Sequence, residues 1–331
     1  MANGLSKYFI EVKLIFIRNN PNERLKLKLL KNVNLIFLDE KTKNYYKKIS
    51  LLNKIIKDNS FVISFGFVAD LFNVFLLKNN VSISSVRGNL SMNYYYDYKL
   101  FGKILAFLHY KVIKHSNYIF SMTSSMSRKI KKVTGRDSTI VKNFIDEISL
   151  KNFKVNNISK NDTLQFIFIG TLSDRKNIMF LLNSFHELLV TNPNISLNIL
   201  GNGPLYKKVD AYIKNNKLEK KVNLIGYKNN PYAFIKNSDI FVLPSYSEGI
   251  SRAAIEALYF NLPCIMFKVD GNEELIKENF NGYLCTDDKN FNSIMQKAID
   301  NIEKLKKNKM LPEEFKQDVV SKIIKNFIYE K

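Results

Sequence analysis

Two glutamates eight positions apart are the residues of this chain best placed to do chemistry. They are Glu248 and Glu256, in the run Ser245–Ala257, SYSEGISRAAIEA. The pattern predicts that Glu248 ends a loop after a buried strand and that Gly249, Ile250 and Ser251 open the next helix. At ~1.5 Å per residue the two carboxylates would stand roughly 12 Å apart along the axis. Eight steps of about 100° would return them to nearly the same face. They would then bracket a helix N-terminus, where free backbone N–H groups and the dipole favour an anion, ideally phosphate. Carboxylates accept hydroxyl hydrogen bonds. A sugar on one side, a diphosphate in the middle and a ribose on the other would fit. The same two acids are also compatible with a plain helix-start residue and an exposed polar position.

Gly170–Lys176, GTLSDRK, is the second constellation. Gly170 ends a buried strand, and Arg175 and Lys176 follow in the loop. The pair could neutralise a diphosphate from across a crevice and stabilise the charge that develops on a departing phosphate. It could equally be a solvated pair at the start of a helix. In Gly201–Leu205, GNGPL, Gly201 and Gly203 would let backbone approach a ligand, and Pro204 suits a first helical turn. The third glycine of a dinucleotide fingerprint is missing. His109, His115 and His186 form no H-E-x-x-H zinc helix and are expected in packing or at the surface. Cys264 and Cys285 lie in apolar strands and are expected to be inert core thiols. Neither a G-x-S-x-G elbow nor a Walker lysine loop occurs.

The elements that must position these residues follow a strict rhythm from residue 161 onward. Strands are expected at Gln165–Gly170, Ile195–Leu200, Val222–Gly226, Asp239–Leu243, Pro263–Phe267 and Gly282–Cys285. Helices are expected at 177–191, 204–216, 231–237, 249–260 and 272–279. Short apolar strands alternating with amphipathic helices imply parallel strands buried on both faces. The result is a doubly wound sheet whose ligand crevice lies at the carboxyl ends of the strands. The first half predicts strands at Val12–Ile17, Val33–Leu38, Phe61–Phe65, Ser82–Val86 and Tyr118–Met122, with helices over 42–58, 68–79 and 98–115. Periodicity is lost near 144–161. The expected division is a first domain over 1–150, a second over 151–311, and a C-terminal helix over 312–331 that packs back on the first domain.

Composition fits this α/β reading. The 331 residues are 46% hydrophobic and 24% charged, enough for two domains with ordinary cores. Asp70 and Asn73 interrupt the longest apolar stretch, 61–77, which argues against a membrane span. No signal-peptide order is seen at the N-terminus, and two cysteines exclude a disulfide scaffold, so a reducing cytoplasm is expected. The net charge of +21 is uneven: residues 1–160 hold 28 Lys/Arg against 10 Asp/Glu, and residues 161–331 hold 23 against 20. A basic half can serve an anionic membrane surface, a phosphorylated substrate or nucleic acid. It can also reflect a codon bias toward Lys, Asn and Ile. Lys26–Lys31, Lys41–Lys48 and Arg128–Lys132 are the candidate membrane patches, or else solvated helix faces.

In order and spacing, IGTLSDRKN, LNILGNGP, VNLIGY, SDIFVLPSYSEGISRAAIEAL, LPCIMF and NGYLC resemble the donor-binding domain of retaining glycosyltransferase family 4 over 165–285. The resemblance implies a GT-B fold, α/β, with two doubly wound Rossmann-like domains facing across a cleft. It implies that Glu248 contacts the transferred sugar as the key carboxylate and that Glu256 holds the ribose. Gly249, Ile250 and Ser251 would give backbone N–H groups to the diphosphate, Arg175 and Lys176 would match the family's basic pair, and Tyr227 would lie near the nucleobase. With Gly170 and Gly203 these make up the expected donor site. ISSVRGN (83–89) resembles the acceptor-side loop of polysaccharide-assembling members, which makes Arg87 and Asn89 the acceptor-side candidates. An ordinary strand-end turn is the other reading of that segment. The family opens with a strand and a glycine-rich loop before a segment like ANGLSKYFIEVKLI. Here that segment begins at Ala2, so the opening strand and loop are expected to be missing. The usual two-glycine turn is VDGNEE here, with Gly271 as its one glycine and Glu274 as the family acid.

The function expected is transfer of a sugar, with retention, from a nucleotide-diphosphate sugar to a lipid-linked or surface glycan such as lipopolysaccharide, O-antigen or capsule. No metal and no other cofactor are expected. The protein would be peripheral on the cytoplasmic face of the membrane, held through its basic first half. The alternatives are a non-catalytic or truncated GT-B protein that binds a nucleotide sugar or a partner enzyme, and a basic nucleic-acid-binding protein. Nucleic acid is not the expected partner, because Tyr94–Tyr98 (YYYDY) carries Asp97 rather than interleaved lysines.

Overall fold

The computed structural model describes residues 1–18, 29–151, 163–308 and 310–331. Most of the expected boundary stretch therefore lies outside the described residues. The chain divides into two compact units, Met1–Lys142 with Lys316–Lys331, and Asn143–Phe315.

In the first unit β1 (Val12–Phe16) and β2 (Val33–Phe37) pair in parallel. β3 (Phe61–Ser64), β4 (Val81–Val86), β5 (Tyr118–Ser121) and β6 (Thr139–Ile140) form a second parallel sheet in that order. Its central strands are buried, with Ile83, Ile119 and Phe120 fully inside. That is why they read as short apolar runs rather than alternating ones. Asp70, which breaks the apolar stretch, is buried and satisfied: it accepts from Ser64 Oγ and lies 2.7 Å from His109 Nε2, while Tyr94 Oη is 3.0 Å from His109 Nδ1. Burial and the Asp70 charge push the Tyr94 pKa up to about 12. His109 is thus a packing residue.

Several first-unit elements differ from expectation. The helix expected over 98–115 forms as Leu100–Lys114, and a further helix not expected from the sequence, Leu90–Tyr98, precedes it, set off by Lys99 with a left-handed φ of +53°. Gly102 lets them approach, since a Cβ there would meet the Tyr94 carbonyl oxygen at 2.0 Å. The helix expected over 68–79 is a short helix, Phe67–Leu71, continued by a wider π-type turn over Phe72–Leu76. Ser124–Thr134 is a helix with no counterpart in the sequence reading. Its N-terminus is capped by Thr123 and its end is set by Gly135 at φ +74°. The helix Gln317–Tyr329 belongs to this unit. Asp318 accepts from Tyr8 Oη at 3.2 Å, and Phe327 packs 5.0 Å from both Tyr118 and Phe120.

The second unit is built on β7 (Leu164–Ile169), β8 (Ile195–Leu200), β9 (Val222–Gly226), β10 (Ile240–Leu243), β11 (Cys264–Phe267) and β12 (Gly282–Cys285). All are parallel, in the order β12-β11-β10-β7-β8-β9. The chain winds outward from β7 to β9, crosses back, and winds outward again from β10. The order therefore reverses between β7 and β10, and a ligand crevice belongs outside the carboxyl ends of these two strands. Phe166, Ile167 and Phe168 and all of β10 have no exposed surface, and each such side chain contributes about 1.5–3 kcal/mol. Asn198, buried in β8, is satisfied across the sheet by Asn223 at 3.0 Å. A stiff core thus holds the two loops at the reversal point.

Candidate active site

Those two loops carry the basic pair and the first glutamate. Lys176 Nζ donates to Glu248 Oε1, Arg175 Nη1 donates to the Ser247 carbonyl at 2.9 Å, and Tyr246 N donates to the Arg175 carbonyl at 3.0 Å. The lysine and glutamate side chains are 12% and 7% exposed, so Lys176 is not a solvated lysine. Burial pulls the Lys176 pKa below its usual value. Glu248 opposes that shift, and the neighbouring Arg175 adds to it.

The helix after β10 starts later than expected. It runs Arg252–Tyr259, and Ser251 is its N-cap, its hydroxyl accepting from Ala254 N at 3.3 Å. Gly249 and Ile250 remain in the loop because the cap geometry falls on Ser251. The picture of both glutamates on one helical face therefore fails. Glu248 lies in the loop ahead of the cap and is held by Lys176. First-turn N–H groups still lack intrahelical partners, and the Ser251 hydroxyl takes only the one from Ala254. Glu256 lies on the helix and is buried rather than exposed. Arg252 Nε approaches it to 3.1 Å, and Tyr232 hydrogen-bonds it. Burial raises the Glu256 pKa, and both partners partly offset this.

The glycine loops serve one another. A Cβ on Gly201, whose φ is +148°, would lie 1.8 Å from the Gly170 carbonyl oxygen, and one on Gly203 would lie 2.5 Å from that of Leu172. The Gly203 N–H is taken by Asn202 Oδ1 at 2.8 Å. These glycines let the loop after β8 close on the loop after β7, which sequence reasoning took for room around a ligand. A Cβ on Gly170 would make only ordinary contacts, 3.5 Å from Phe168 and 3.7 Å from Lys176. Gly203→Ala should therefore cost about 1–3 kcal/mol by overpacking, a fall of several degrees in Tm, whereas Gly170→Ala should leave Tm unchanged. Thermal unfolding of both variants checks this. Tyr227 follows β9 and is largely exposed.

Sequence reasoning missed several residues here. Ser247 Oγ donates to Asp270 Oδ2 at 3.0 Å, tying the loop after β10 to the loop after β11. Asp270 precedes Gly271 and takes φ +42°, a conformation that glycine adopts freely. The departure from two glycines hinted at this position. Asn143 Nδ2 donates to the Ile250 carbonyl at 3.0 Å. Ser245 Oγ is buried without a hydrogen-bond partner among the described residues. Nothing in the sequence marks a buried orphan, because partners come from other loops. Glu274 lies in the short helix Asn272–Leu275.

In the first unit Arg87 and Asn89 follow β4. Arg87 Nη1 lies 3.4 Å from the Val141 carbonyl, and burial lowers its pKa to about 10, so it stays charged at neutral pH. Asn89 caps the helix Leu90–Tyr98 and accepts from Lys129 Nζ at 2.7 Å. The basic stretches are partly spent. Lys48 is buried against Asp39 and the Ile17 carbonyl, which removes it from any membrane patch. Lys129 is held by Asn89, and Lys131 by Asp137 at 2.6 Å. Of Lys26–Lys31, residues 26–28 lie outside the described residues. Among the described residues no helix is long and apolar enough to cross a membrane, and no cluster of three His, Cys, Asp or Glu is placed to hold a metal.

An uncharacterized glycosyltransferase of Methanocaldococcus jannaschii is 32% identical over 202 residues, 58% of this chain and 49% of that protein. The Escherichia coli UDP-Gal:alpha-D-GlcNAc-diphosphoundecaprenol alpha-1,3-galactosyltransferase is 33% identical over 128 residues, 38% of this chain and 33% of that one. The chain thus spans about half or less of the length of these two relatives. Among solved structures, Anabaena HepE in complex with UDP and glucose superposes with a TM-score of 0.80 at 12% identity, covering 100% of this chain and 95% of that one. At that identity the likeness speaks to the fold alone, two Rossmann-like units of the GT-B type. The family described as glycosyl transferases group 1 matches residues 150–318, which include both switch-point loops, the capped helix and Glu256. The chain belongs to that family.

Proposed function

We propose that this protein transfers a sugar, with retention, from a nucleotide-diphosphate sugar to a lipid-linked glycan acceptor. The observation that carries this reading is the bonded pair Lys176–Glu248 at the switch point, beside a helix N-terminus capped by Ser251. The arrangement offers positive charge and N–H groups to a diphosphate, and a carboxylate beside them to the sugar. The capping geometry leaves Gly249 and Ile250 as loop N–H donors. Glu256, buried with Arg252 and Tyr232, is the ribose acceptor. Tyr227 stands at the nucleobase end, and Arg87 and Asn89 serve the acceptor side.

In the reaction the bond between the anomeric carbon and the diphosphate oxygen breaks, and its electron pair leaves with the diphosphate. Lys176, Arg175 and the helix N-terminus stabilise that charge. Glu248 orients the sugar and stabilises the positive charge at its anomeric carbon. The acceptor hydroxyl attacks from the face the diphosphate leaves, which gives retention, and its proton passes to the departing phosphate oxygen. This division of labour asks nothing of a metal, so transfer should survive EDTA. A lipid-linked acceptor is supported by the undecaprenol-linked substrate in the name of the E. coli relative. It places the protein on the cytoplasmic face of a membrane, to which its basic half is attracted.

Thermal shift with a panel of nucleoside diphosphates tests the donor site. One nucleotide should raise Tm, and Glu256→Ala should weaken its binding about tenfold. Because the Glu256 pKa is raised, its carboxylate protonates above the usual range, so nucleotide affinity should fall with acid earlier than an exposed glutamate would allow. Absence of any shift in a folded sample overturns the donor assignment. A shift without transfer to any lipid-linked glycan favours a non-catalytic nucleotide-sugar binder.

A further inference from the structure

The helix Leu100–Lys114 is apolar on two faces, and only one of them is packed. Gly102, Ala106, His109, Tyr110 and Ile113 point inward and are buried. The His109 ring is fixed there between Asp70 and Tyr94. On the other face Leu100, Phe101, Ile104 and Phe107 are 72%, 76%, 58% and 55% exposed, and Leu108 is 42% exposed. Their spacing of three to four residues makes one continuous stripe. A helix apolar all round is normally covered all round, and an exposed apolar patch of this kind marks an interaction site.

Charge says what covers it. Residues 99–115 contain four lysines, Lys99, Lys103, Lys111 and Lys114, and no acidic residue. All four are exposed and lie beside or within the stripe, with Lys111 Nζ 4.8 Å above the Phe107 ring. A second copy docked on this face would set the four lysines of one helix against the four of the other, with no acid on either helix to pair them. An anionic bilayer surface suits both features at once. The rings and leucines enter the headgroup–acyl boundary, and the lysine stems run alongside while their ammonium groups reach the lipid phosphates.

We propose that this face docks the protein on an anionic lipid bilayer, lying in its interface rather than crossing it. The inference deepens the lipid-linked-acceptor reading and rests on it for its purpose, but its test uses no donor and no acceptor. The full chain is floated with vesicles of phosphatidylcholine alone and of phosphatidylcholine with phosphatidylglycerol. The wild type should float with the anionic vesicles and little with the neutral ones. The double variant Phe101→Ser, Phe107→Ser should partition at least about tenfold more weakly at any salt concentration. Lys103→Gln with Lys111→Gln should lose about as much at low salt, and the gap should close at high salt. Cooperative thermal unfolding at the wild-type Tm certifies that each variant is folded. Wild-type flotation by the phenylalanine variant, or equal flotation with neutral vesicles, overturns the proposal. So does a dimer that this variant dissolves in a protein that ignores vesicles. Failure to float with a normal nucleotide shift removes the surface and leaves the proposed reaction standing. Flotation without any nucleotide shift does the reverse.

Discussion

Glu248→Gln is expected to lower turnover by about 10²–10³-fold while nucleotide affinity changes less than about threefold. Glutamine keeps the size of the side chain and an oxygen that can accept from Lys176 Nζ, so the two loops stay joined. It removes the negative charge that would face the anomeric carbon when the diphosphate leaves. Interactions made only in the transition state appear in kcat and not in binding. The two measurements therefore separate a carboxylate that works on the sugar from one that merely ties the loops. Alanine is a poorer probe. It leaves the Lys176 ammonium buried without its partner, and breaking a buried pair this way costs about 3–5 kcal/mol. Burial already pulls the Lys176 pKa down, so the alanine variant should respond in part by losing that proton. Unchanged kcat in the glutamine variant would remove Glu248 from the chemistry, whatever alanine does.

How much of this site was legible in the sequence depended on distance along the chain. The strands of the second unit were readable because each is buried on both faces, so a short apolar run marks it. Their order follows from none of those runs, and the order is what brings Lys176 to Glu248, 72 positions away. The helix after β10 was placed too early because Gly249 and Ile250 continue the pattern. The cap bond from Ala254 N to Ser251 Oγ sets its start. The glycines of GNGP were visible, but their purpose was not, since the atoms that fill their Cβ positions belong to Gly170 and Leu172. In the first unit a left-handed Lys99 separates Leu100–Lys114 from the helix before it, and no residue type announces that conformation in a lysine. The exposed stripe on Leu100–Lys114 was hidden for a related reason. An apolar helix reads as core until packing shows that one of its faces is covered and the other is not.

Lys176→Met should depress kcat by about 10²–10³-fold, and its neighbour pH series should tell why. Lysine at this position is charged only below a pKa that burial holds under the usual lysine value. In the wild type kcat/KM, which reports the free enzyme, should therefore decline on the alkaline side at a lower pH than an exposed lysine would give. Bound diphosphate adds negative charge and stabilises the ammonium, so the same limb should lie at higher pH in kcat. Lys176→Arg keeps the charge at every accessible pH. It should abolish the alkaline limb, while losing some rate because its planar fork cannot reproduce the lysine's bond to Glu248. Stability moves in the direction opposite to activity. The unfolded chain keeps the Lys176 proton up to the usual lysine pKa, whereas the folded chain sheds it earlier. Folding stability from this group therefore rises with pH across the window between those two values and is lower below it. A methionine variant with wild-type kcat, or an alkaline limb that Lys176→Arg leaves in place, would show that the ammonium does not act on the leaving diphosphate.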